Sequence, residues 1–88
     1  MLSVILMILD FSNVTRVRNS KLLSQFGKSL KDMRTSRGLS QEELANDADI
    51  PINQIGRIER GEVNPSLSTL HSIASALNIR LRELLKDF

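Results

Sequence analysis

The residues Ser40-Gln-Glu-Glu set the tightest constraint on how this 88-residue chain can fold. A serine oxygen three positions ahead of a carboxylate makes a reciprocal capping box, in which each side chain satisfies an amide that a helix start leaves without a partner. A helix therefore opens at Ser40. Leu44, Ala45 and Ala48 give it a narrow, short apolar stripe before Asp49-Ile50-Pro51 interrupts the pattern, since proline does not continue a helix from within. From Ile52 to Arg60 the apolar positions Ile55 and Ile58 lie three apart, while Asn53, Gln54, Gly56, Arg57 and Arg60 take the other directions. The outer face of this second short helix is thus polar, amide-rich and basic. Gly61 follows as a left-handed cap, where glycine alone meets no steric cost. Two helices joined by so few residues must cross steeply.

Helical spacing on both sides of this pair supplies the elements that cover it. Upstream, Leu22, Leu23, Phe26, Leu30 and Met33 recur at core spacing from near Ser20 until Gly38, which reads as a first helix. Gly27 within it costs about 1 kcal/mol relative to alanine, and close approach of a neighbouring helix is the expected compensation. Lys28, Lys31, Arg34 and Arg37 lie off the stripe. Downstream, Glu62-Val-Asn-Pro65 leads to Ser66 as a cap, and Leu67, Leu70, Ile73, Ala74 and Leu77 form the inner face of a fourth helix that Asn78 ends. Between Arg80 and Phe88, Leu81, Leu84, Leu85 and Phe88 form a stripe that is wide for a short last helix, so part of it is expected to face a second subunit. The expected fold class is all-α, with five helices over residues 20–88.

The first nineteen residues read differently. Met1-Leu-Ser-Val-Ile-Leu-Met-Ile-Leu9 has no basic flank before it and no small-residue cleavage site after it, and it is too short to span a bilayer. Its β-branched content fits an extended segment buried on both faces. Val4, Leu6 and Ile8 are therefore candidates for a strand exchanged between two subunits; the alternative is an apolar extension without such a role. Asp10 to Asn19 shows no clear period and reads as a linker or arm, with Arg16 and Arg18 in it and Lys21 just beyond. Basic residues there either reach a nucleic-acid groove or phosphates, or are solvated.

Composition bounds the rest. With 41% apolar residues the chain allows one small domain with a marginal core, and dimerisation would supplement it. The absence of cysteine excludes disulfides, thiolate chemistry and thiolate zinc sites. His71 is the only imidazole and has no second ligand near it in sequence, so a surface or packing role is expected rather than metal binding or catalysis. Net charge is +2, but residues 1–38 carry seven Lys/Arg against two acids, while 39–88 carry five against eight. A basic first helix and arm can lie along phosphates. The chain shows no nucleophile–base pair, metal cluster or phosphate-binding glycine loop, so neither an enzyme nor a cofactor is expected.

Three blocks carry a resemblance: Leu39-Ser-Gln-Glu-Glu-Leu-Ala45, then Ile55-Gly-Arg-Ile-Glu-Arg-Gly61, then Asn64-Pro-Ser-Leu67 with Leu70, Ile73, Ala74, Leu77 and Ile79 behind. Over about Leu22 to Leu85 the chain resembles the lambda-repressor/Cro-like, or xenobiotic-response-element (XRE), family of helix-turn-helix DNA-binding domains. That resemblance implies a cytoplasmic transcriptional regulator, a repressor by preference, that binds an inverted repeat in double-stranded DNA as a homodimer with helix three in the major groove. It also allows two specialised forms, an antitoxin that holds a toxin and a restriction–modification controller; the alternative is a protein-binding module that uses the apolar N-terminal strand and the terminal helix to hold another protein partner. Ile52, Asn53 and Arg57 match the family's base-contacting positions. Asparagine can pair bidentately with adenine and arginine with guanine, each contributing roughly 1–3 kcal/mol of discrimination. Gln41 matches a phosphate-binding position, aided by the amides of its helix N-terminus, and Gln54, Arg60 and Asn64 are further backbone-contact candidates. The family pairs an arginine at the position of Arg34 with a glutamate at that of Glu59, pinning helix one to helix three. Three positions depart from the pattern: Ile52 where polar residues are usual, Pro51 where Ser or Thr caps the helix, and Asp49 in place of the turn glycine, though aspartate tolerates a left-handed backbone.

Overall fold

The computed structural model describes residues 18–88. Within them the helices run α1 (Ser20–Ser36), α2 (Gln41–Ala48), α3 (Ile52–Glu59), α4 (Leu67–Ala76) and α5 (Leu81–Leu84). The capping box is formed: the Glu43 amide donates to Ser40 Oγ at 3.0 Å and the Ser40 amide donates to Glu43 Oε1 at 3.0 Å. Ser66 caps α4 through the Thr69 amide. Asn19, placed in the linker by sequence pattern, caps α1 by accepting from the Leu22 amide at 2.9 Å. Pro51 leaves α3 without a side-chain cap.

The four longer helices end in one way. Each is followed by a residue with positive φ: Gly38 at 71°, Asp49 at 57°, Gly61 at 72° and Asn78 at 61°. The next amide then reaches back five residues, from Leu39 to Arg34 O, Ile50 to Ala45 O, Glu62 to Arg57 O and Ile79 to Ala74 O. This is the Schellman closure, which satisfies carbonyls that a helix end leaves open and usually adds an apolar contact. Leu39, Ile50 and Ile79 make that contact with the core. At the end of α3 the corresponding residue is Glu62, which is exposed and ion-paired with Arg60 instead.

Leu30, Leu44, Ile55, Ile58, Ile73 and Leu84 are the largest fully buried side chains, so every helix contributes to one core. In α1 the buried face is Leu23, Phe26, Gly27, Leu30 and Arg34. Leu22, expected in that stripe, is 41% exposed, because the rotation that sinks Leu23 turns its neighbour to the flank. Gly27 lies against the backbone of α3: a Cβ there would stand 2.6 Å from the Ile58 carbonyl oxygen and would also overlap that of Glu59. The expected close approach is therefore to a helix end rather than to side chains. Val4, Leu6 and Ile8 lie outside the described residues. No helix among the described residues is long and apolar enough to cross a membrane.

The stripe of the last helix divides. Leu84 is 1% exposed and belongs to the core of its own chain, which removes it from the surface a second subunit could touch. Leu81 and Leu85 are half-buried, and Phe88 is exposed while its ring meets Phe26 edge-to-face at 5.9 Å.

Candidate nucleic-acid interface

Helix α3 is fixed along one side and open along the other. Ile55, Gly56, Ile58 and Glu59 are buried, Gln54 is half-buried, and Ile52, Asn53, Arg57 and Arg60 are exposed. Asn53, Arg57 and Arg60 are spaced i, i+4 and i+7, so they stand on one face. Ile52 is 54% exposed; it does not turn inward, and it presents an apolar group at the N-terminal end of the same helix.

The inward side is held by a polar network as well as by packing. Arg34 Nε donates to Glu59 Oε2 at 2.6 Å and Arg34 Nη2 to Glu59 Oε1 at 3.0 Å. Arg34 Nη1 donates to the Leu39 carbonyl at 2.8 Å, and Gln41 Nε2 donates to Glu59 Oε1 at 3.0 Å. The end of α1, the start of α2 and the end of α3 thus meet at one carboxylate. Arg34 and Glu59 are 7% and 8% exposed, and a buried pair is tolerable because its geometry is bidentate and its remaining hydrogen-bonding groups are used. The Glu59 carboxylate holds the guanidinium above its ordinary pKa, against an opposing effect of burial. Each guanidinium nitrogen of Arg34 makes a hydrogen bond inside the fold, which anchors the end of α1 to α3 and to the start of α2.

Gln41 is exposed at the start of α2, with one amide hydrogen given to Glu59. It also lies over Gly56, where an added Cβ would be 3.2 Å from Gln41 Oε1 and 3.0 Å from Arg60 Nη1. The bare Gly56 backbone therefore accommodates the side chains of Gln41 and Arg60 across the α2–α3 junction. Arg60 is exposed, and its Nε is ion-paired with Glu62. Asn64, in the loop beyond, borders an apolar groove with Leu22 and Pro65.

Sequence pattern missed two contacts here. Arg18, grouped with the arm, donates through Nη2 to the Gly61 and Glu62 carbonyls, both at 3.1 Å. It thereby ties the segment just ahead of α1 to the loop after α3. Gln41 to Glu59 was the other, and no spacing rule relates residues eighteen apart in this way. The Arg34–Glu59 pair, implied by the family resemblance, is present.

Comparison with known proteins places these features in context. A helix-turn-helix family model, HTH_3, matches residues 30–84. The chain is 40% identical over 57 residues to the HTH-type transcriptional regulator DdrOP3 of Deinococcus deserti, covering 65% of this chain but only 44% of that protein. It is 39% identical over 71 residues to control protein C.BamHI of Bacillus amyloliquefaciens, covering 80% of this chain and 84% of the other. Among solved structures, the restriction-modification controller protein C.AhdI from Aeromonas hydrophila is similar at a TM-score of 0.69 and 44% identity, over 70% of this chain and 94% of that one. With the capping box, the anchored α3 and the family match in agreement, the chain belongs to the XRE-type helix-turn-helix family.

Proposed function

We propose that this protein is a sequence-specific, DNA-binding transcription regulator, acting as a homodimer on an inverted repeat with α3 in the major groove. The observation that carries the reading is the two-sided character of α3: Asn53, Arg57 and Arg60 stand exposed on one face of a helix whose other face is locked by Ile55, Ile58 and the Arg34–Glu59 pair. Rigid presentation matters because base discrimination depends on bidentate geometry. In this reading Asn53 and Arg57 read bases, Ile52 meets a thymine methyl, and Gln41, Gln54, Arg60 and Asn64 contact the sugar-phosphate backbone. Gln41 brings the open amides of the α2 N-terminus with it. Half-site centres lie about one helical turn, roughly 34 Å, apart. The second subunit packs on the apolar surface at the C-terminal end, where half-buried Leu81 lies beside Leu67, which is 67% exposed.

Selection of bound sequences from a random duplex pool at near-physiological salt, with Arg57→Ala alongside, tests the reading. An inverted repeat should emerge, relaxed at one symmetric position in the variant, with a loss of about 1–3 kcal/mol there. A uniform loss across sequences would make Arg57 a phosphate contact, and no enrichment from either protein would sink the proposal.

A specialised form, a restriction–modification controller, is favoured by one further observation. The chain is 39% and 44% identical to two control proteins, along 84% and 94% of their lengths. Binding to DNA upstream of its own gene, with restriction and methylase genes adjacent, is the expected result. A gene neighbourhood without them removes this form and leaves the broader proposal standing.

A further inference from the structure

An apolar groove to which α3 contributes no side chain is walled by Leu22 and Phe26 of α1, Asn64 and Pro65 of the loop between α3 and α4, Leu70 of α4, and Leu85 and Phe88 at the C-terminal end. Leu22 and Phe88 are 41% and 48% exposed along it, leaving large apolar side chains facing water at a site shaped to bury more. We propose that residues 1–9 of the same chain fill this groove.

Three observations favour that occupant. Residues 1–9 contain only one polar side chain, Ser3, and no charged side chain, so their chemistry matches the lining. The chain is delivered to the right place: Arg18 is held on the Gly61 and Glu62 carbonyls, at the base of the loop whose Asn64 and Pro65 form one wall. The eight residues between Leu9 and Arg18 extend to at most about 29 Å, which is ample for the run to fold back along α1 and short enough to keep it at a high local concentration. Leu85 and Phe88 are then covered from within the chain, and the separate patch at Leu67 and Leu81 is left for a second subunit. Arg18 acts as the tether that sets where the segment begins.

The natural chain has no cysteine, so paired replacements report proximity cleanly. In the full-length protein, Leu6→Cys with Phe88→Cys should be joined by a short bismaleimide within one chain, at least about tenfold faster than Leu6→Cys with Ser36→Cys, as high local concentration requires. Leu6→Cys with Leu22→Cys, using the opposite wall, gives the same readout should replacement of Phe88 disturb the C-terminal end. Rates equal to the Ser36 control in both pairs would overturn the proposal. A product found only as a covalent dimer would also overturn it, in favour of a strand exchanged between two copies. Removal of residues 2–9 should leave helical content intact while increasing binding of an apolar dye, and unchanged dye binding would count equally against it.

Discussion

Glu59 accepts hydrogen bonds from Arg34 Nε, Arg34 Nη2 and Gln41 Nε2 while only 8% exposed. Replacing it with glutamine keeps the volume but leaves a buried guanidinium without its counter-charge, which costs roughly 3 kcal/mol. Urea denaturation of Glu59→Gln should show that loss, with weaker DNA binding because α3 is no longer pinned; an unchanged midpoint would mean the pair is not structural. The charge types of this pair were visible in the chain, yet only the resemblance joined them. Twenty-five residues separate the partners, and nothing local in a sequence encodes such a contact. The third partner, Gln41, carries no sequence signal for its bond to Glu59, which exists only because α2 and α3 pack together.

At the scale of elements, helix starts and stops follow local chemistry closely. Ser40, Ser66, Gly38 and Gly61 all act as their residue types demand. Glu43 shows the electrostatic side of this: its carboxyl is held below the usual carboxylate range, first by the Ser40 amide and second by the Ser40 hydroxyl. A folded-state value below the unfolded one stabilises α2 above the pKa of an ordinary glutamate, and the contribution disappears as pH falls through the folded value. Stability of the wild type and of Glu43→Gln should therefore converge at acid pH and separate toward neutrality. Curves that stay parallel across that range would remove Glu43 from the acid response. Gly27 was legible as an anomaly in a helical stripe, and its cause was the backbone of α3 pressed against it. Although alanine gains about 1 kcal/mol of helix propensity, Gly27→Ala should destabilise by about 1–3 kcal/mol through overpacking. A neutral result in chemical denaturation would show that α1 and α3 slide apart freely.

Over the whole molecule, the apolar residues of the last stripe separate by destination. Leu84 completes the core, so Leu84→Ala should lower stability by about 2–5 kcal/mol in denaturation experiments. Leu67→Ser, on the patch beside Leu81, should leave that stability within about 0.5 kcal/mol and weaken self-association in sedimentation equilibrium. If Leu67→Ser changes neither quantity, this patch is not the contact of the proposed dimer. Periodicity could not make this separation, because Leu81, Leu84, Leu85 and Phe88 share one helical face on paper. Once the helix is only Leu81–Leu84, the face stops one turn in, and the residues after it follow the chain's exit instead.

The amino-acid sequence by itself determined the all-helical class, the capping box, the turn at Asp49, the polar face of α3 and the family, because each rests on interactions within a few residues or on ordered motifs. Tertiary structure decided which apolar side chains are core and which line a groove, that Arg18 is tied to the loop after α3, and that Glu59 joins three helices. Those outcomes depend on how rigid helices come to rest against one another. Packing is a property of surfaces that meet, and residues far apart in the chain acquire a shared environment only when it is complete.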